Sequence, residues 1–214
     1  SRKATASPRE QAWIDALANF YAGEDNAEAR RKYIRALETL VQDQPQDVEA
    51  KAFLIFHIWK NSSFKDSSGN KPLPLSSHQA LDSLLDQVFQ LAPMHPAHHY
   101  RIHLWDDEKP ARALVSASLN GQASPGIAHM WHMPGHTYSK LHRYADAVWQ
   151  QEASARVDHA HMLRDRVLPG QIHNYAHNNE WLIRNLIFLG HARRAVELAQ
   201  NMLDIPRHPK NNSP

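Results

Sequence analysis

Sixteen of the 214 residues are histidine and none is cysteine, and twelve of the histidines fall between His95 and His177. Their spacing is helical. His99 and His103 stand four apart, as do His132 and His136, with His129 three residues before His132; His177 and Glu180 stand three apart. Residues three and four apart share a helix face. Neutral imidazole is the commonest side-chain ligand for metals and changes charge near pH 7. Three helices, each offering two ligand-type side chains, could build a centre for a divalent transition metal (Zn, Fe, Mn or Cu) in the manner of sites inside helical bundles. The expected ligands are His99, His103, His132, His136, His177 and Glu180. Six exceed what one zinc needs, so three or four would hold the ion and the rest would support it or act as base.

Other polar groups gather beside these motifs. Asn174 and Asn178 are four apart, and His161 is the member of the His159/His161 pair expected to reach the centre; these three are the candidate catalytic groups. Asp158 could orient an imidazole, because a ligating histidine donates its second nitrogen proton to a carboxylate or carbonyl. Arg156, Arg164 and Arg166 could form an anion-binding rim or plain surface ion pairs. Trp131, inside a histidine run, could wall a pocket. Hydrolysis by metal-activated water on a small-molecule substrate leads oxidation as the expected chemistry. The competing reading is a scaffold for a protein partner, in which the same imidazoles form a hydrogen-bonded polar core. His57, on a nearly all-apolar helix, is expected in the core, and His142 stands where a turn would take glycine.

Composition narrows the classes. The net charge of +2 and isolated basic pairs such as Arg30-Arg31 give no footprint for nucleic acid. No apolar run reaches the eighteen or so residues that cross a membrane, so a soluble chain in either the cytoplasm or the periplasm is expected. Lack of cysteine removes disulfides, thiolate nucleophiles and Cys-ligated zinc or iron–sulfur sites. No HExxH, phosphate-binding glycine loop, nucleophile elbow or CxxCH haem motif is present. The first residue is serine, not methionine, which suggests a processed chain or a piece of a longer one.

The elements that must position these groups read as helices throughout. Ser7-Pro8 with Glu10 opens a helix that runs to about Ala22, ended by Gly23 and Asp25-Asn26. Helices follow over 27–42, from 47 onward, and over 77–91, 95–105 and 110–119, the last leading into an NGQASPG turn; two helical pairs fill the remainder. Pro134 predicts a helix start near Met133, leaving His132 at the cap. Residues 1–60 form leading hairpins, 61–77 a flexible Ser/Gly loop, and 78–214 a histidine-rich region continuous with the first. No stretch alternates with period two. The expected fold is all-α, antiparallel helical hairpins in a tetratricopeptide-like right-handed array.

Repetition carries that expectation. Tyr138, Tyr144 and Ala147 have the spacing of a tetratricopeptide helix pair, and Leu186, Gly190, Ala192, Ala195, Ala199 and Pro206 repeat it. Aligning His142 with Gly190 separates the units by 48 residues. The motifs His95-Pro96 with His99-Tyr100-Arg101-Ile102-His103, His132-Met133-Pro134-Gly135-His136-Thr137-Tyr138 and Tyr175-Ala176-His177-Asn178-Asn179-Glu180-Trp181-Leu182 together resemble a bacterial family of tetratricopeptide-like helical proteins. The resemblance implies membership of longer chains, some with a redox-type domain. In that family's commoner pattern a second histidine stands where this chain has Glu180.

Overall fold

The computed structural model describes residues 2–22, 26–75, 77–172 and 174–205. Gly23, Asp25 and Pro206, named above, lie outside that set. Among the described residues there are ten α-helices and no strand, so the chain is all-α. None of these helices is long and apolar enough to cross a membrane. The chain divides into two compact units, residues 1–100 and 101–214.

The first unit holds α1 (Pro8–Tyr21), α2 (Ala27–Asp43), α3 (Val48–Asn61) and α4 (His78–Leu91). Each start is capped by a short polar side chain. Ser7 and Glu10 form a capping box, and Asn26, Asp47 and Ser77 accept the backbone N–H three residues on. Asp47 does more than cap. Its buried carboxylate takes two bonds from the Arg9 guanidinium and one from Trp13 Nε1, tying α1 to α3. Ala16, Tyr33, Leu37, Leu40, Ala50 and Leu54 form the core between the helices. His57 sits in this core with its ring 4.6 Å from Tyr33 and 5.2 Å from Phe56, as its apolar surroundings in the sequence imply. The polar loop carries its own turn, closed on Asp66 with Gly69 at φ 80°, and is fixed to α2 by Arg31 donating to the Pro72 carbonyl and Arg30 lying over Phe64.

α5 (His98–Trp105) crosses the boundary between units. It starts three residues later than the His95 expected, because the His95 ring accepts the Ala97 N–H and acts as a cap. The second unit continues with α6 (Leu114–Ala123), α7 (Ala128–Lys140), α8 (Tyr144–Asp165), α9 (Tyr175–Phe188) and α10 (Ala192–Leu203). Val148, Leu182, Leu186 and Ala195 pack at its core. The α7–α8 and α9–α10 turns close in the same way: His142 (φ 57°) and Gly190 (φ 77°) are both left-handed, and the next N–H reaches back to Tyr138 or Leu186. The alignment of His142 with Gly190 is therefore an equivalence of repeat turns.

Two further helix boundaries differ from expectation. α6 runs past Leu119 through Gly121, where the Trp131 ring lies so close that a Cβ would sit 2.2 Å from it. Trp131 also donates to the Pro125 carbonyl and meets Trp149 edge-on, so it packs helices together. α7 begins at Ala128 and contains Pro134 in its interior. Proline leaves the carbonyl four residues earlier without its helical donor. That carbonyl belongs to Met130, and the buried Asn120 side chain supplies the missing bond at 2.6 Å.

Candidate metal centre

An unbroken α7 places His129, His132 and His136 along one face, and α9 brings His177 to them. One ligand atom from each of His132, His136 and His177 lies within 4.8 Å of the others. The site grades from a buried His132 through a largely buried His136 to an exposed His177, so it opens to solvent on the α9 side. The Trp181 ring stacks on His136 at 3.9 Å and fixes its plane.

Each imidazole is backed by an acceptor at Nδ1. Gln151 donates through Nε2 to the His132 carbonyl, which turns its Oε1 onto His132 Nδ1 at 2.7 Å. His132 therefore carries its proton on Nδ1 and exposes the Nε2 lone pair. Gln151 reaches this position only because residue 135 is glycine: a Cβ there would lie 2.2 Å from the amide nitrogen. Asp106 Oδ2 stands 3.7 Å from His136 Nδ1, and Glu180 Oε2 stands 3.7 Å from His177 Nδ1. With both Nδ1 atoms turned to acceptors, the Nε2 atoms of His132 and His136 face each other at 2.8 Å. Two facing lone pairs at that distance repel, so a proton or a metal ion must lie between them.

The electrostatics keep His132 neutral. Burial, reinforced by the neighbouring imidazoles, pushes His132 down to about 3. Burial alone would raise Asp106, but the facing His136 imidazole and the Lys140 ammonium outweigh it and hold the carboxylate below its ordinary range. Lys140 contacts Asp106 at 2.8 Å.

The expected set of six is divided. Glu180 is outside the convergent group: its carboxylate accepts from Arg184 and faces the back of His177, an orienting position. His99 and His103 share a face of α5 one turn apart, and the His103 ring lies 6.1 Å from that of His129. His129 in turn stacks 5.7 Å from His132. The candidate catalytic groups collect on the other side of His129. Asn174 contacts His129 Nδ1 at 3.1 Å, Asn178 donates to Asp158 at 2.8 Å, and His161 pairs with Asp165. Gln151 and Gly135 were not legible as site residues; a glycine inside a helical stretch, flanked by motif histidines, is the one sequence signal that marks their close approach.

No protein-family model matches the chain, and no curated protein matches it in sequence. Solved structures match its fold. MamA 41-end from Desulfovibrio magneticus RS-1 superposes with a TM-score of 0.67 at 12% identity, covering 97% of this chain and 99% of that one. A MamA RS-1 double mutant gives 0.66 at 11% identity over 93% and 94%. Another MamA crystal structure gives 0.65 at 11% over 91% and 92%. At such identities the likeness is one of fold, and the fold of this chain is a tetratricopeptide-like helical repeat.

Proposed function

We propose that this chain is a helical-repeat scaffold for a protein partner that holds one divalent transition-metal ion on His132, His136 and His177. The fold-level likeness to MamA supports the scaffold, since stacked hairpins of this kind present extended binding surfaces. The facing Nε2 atoms of His132 and His136, each with its Nδ1 turned to an acceptor, carry the metal assignment. Zn–N bonds of about 2.0–2.1 Å would need these nitrogens to part by only about half an ångström for a tetrahedral angle. Three imidazoles leave a fourth position open, on the side of exposed His177. The all-nitrogen ligand set suits zinc, copper or iron better than manganese. The ion acts as a clasp between α7 and α9, which together supply the three imidazoles.

Elemental analysis of protein purified without an affinity tag tests the metal. The expected result is about one ion per chain. His136→Ala and His177→Ala should each lower that to a similar small fraction, with little further loss in the double variant, because both act on one site. His57→Ala should reduce stability and leave the stoichiometry alone. Full metal content in both single variants would refute the centre, leaving the scaffold to stand by itself.

A further inference from the structure

Beyond His129 lies a cavity of about 340 Å³ lined by Ile127, Ala128, Val157 and Ile172 on its apolar side and by His129, Asp158, His161, Arg164 and Asn174 on its polar side. Its charges are unequally compensated. Arg164 and His161 at the rim are both paired with Asp165. Asp158 is 4% exposed and, among the described residues, accepts a hydrogen bond only from the neutral amide of Asn178. A buried carboxylate without a cation is expensive, and such groups are normally paired. A carboxylate short of donors, beside apolar walls, suits a ligand that brings N–H donors and positive charge on a hydrocarbon body.

We propose that this cavity is a binding site for a small alkylammonium compound, its ammonium held by Asp158 and its hydrocarbon portion packed against Ile127, Val157 and Ile172. A primary ammonium offers three donors, enough for both Asp158 oxygens and the Asn174 amide oxygen. The walls accept a branched chain of four or five carbons, and the rim cations disfavour a second positive charge at the far end. The site is independent of the metal proposal: neither Asp158 nor the walls belong to the His132, His136 and His177 group.

Isothermal titration of the full chain with 3-methylbutylamine tests it, on protein treated with a chelator and on protein reloaded with zinc. Saturable one-to-one binding is expected in both preparations. The isosteric alcohol 3-methyl-1-butanol should bind at least tenfold more weakly, and Asp158→Asn should weaken the amine by a similar factor. Should Asp158→Asn fail to fold, Ile172→Ala, which removes part of the apolar wall, serves as the second variant and should weaken the amine at least fivefold. Absence of saturable binding, or equal affinity for alcohol and amine, overturns the proposal. Binding that needs zinc and survives loss of Asp158 also overturns it, because the amine would then be a metal ligand.

Discussion

At the scale of single residues, the chemistry separates two kinds of histidine that look alike in the sequence. His57 and His132 are both driven neutral by burial, His57 to about 4 and His132 to about 3. His57 is surrounded by Phe20, Tyr33, Phe53 and Phe56, with Arg30 adding repulsion, and has nothing to offer an ion. Its lowered value has a consequence for folding. The unfolded chain takes up a proton near the ordinary histidine value of 6.5 while the folded chain does not, so the first unit should lose stability as pH falls from 6.5 towards 4. The loss should be on the order of 1–2 kcal/mol with partial solvent screening. Asp47 acts in the same direction at lower pH: burial opposes its ionisation, yet Arg9, the Ala50 N–H and Trp13 together keep it below its ordinary range. Denaturant melts between pH 7 and 4 should show the histidine part of the slope flattened in His57→Phe. An unchanged slope would mean that His57 charges without penalty.

Elements explain which expectations from the sequence succeed. Helix identity was legible because caps and periodicity are local: Ser7-Pro8 with Glu10, Asn26, Asp47 and Ser77 stand in the chain beside the turns they cap. The start of α7 was not, because Pro134 is disruptive only when its freed carbonyl stays unpaired, and Asn120 on α6 pairs it from ten residues upstream of Met130. Likewise the spacing of His132 and His136 announces a shared face, while Gln151, which sets the tautomer, comes from a different helix. Both misses are tertiary side-chain contacts that leave no local period. Asn120→Leu should therefore destabilise by about 1–3 kcal/mol, the usual consequence of a buried carbonyl left without a donor. Restoring the backbone donor with Pro134→Ala should recover part of that loss in the double variant, measured as coupling in a mutant cycle. Strict additivity would show that the two residues do not share the Met130 carbonyl. At the next turn, Gly135→Ala should push Gln151 off His132 and lower metal affinity roughly 10–100-fold, as losses of orienting partners do.

Across the whole chain, the metal centre and the first unit share no ligand. His132, His136 and His177 all lie in residues 101–214, on α7 and α9, which are separated in sequence by the long helix α8. An ion bound there closes a loop of chain within the second unit and binds only its folded form. Ligand bound at one hundred times its dissociation constant stabilises the folded state by about 2.7 kcal/mol. That increment belongs to the unit containing the site. Hydrogen exchange with and without zinc should accordingly show added protection in α7, α8 and α9, and unchanged protection in α1, α2 and α3. His177→Ala should erase the difference, since two imidazoles on α7 alone cannot join it to α9. Because the ion competes with protons for imidazole nitrogen, the protection should weaken as pH is lowered from 7.5 towards about 5.5. Equal gains in both units would mean that zinc acts on the chain at large, and the clasp between α7 and α9 would have to be abandoned.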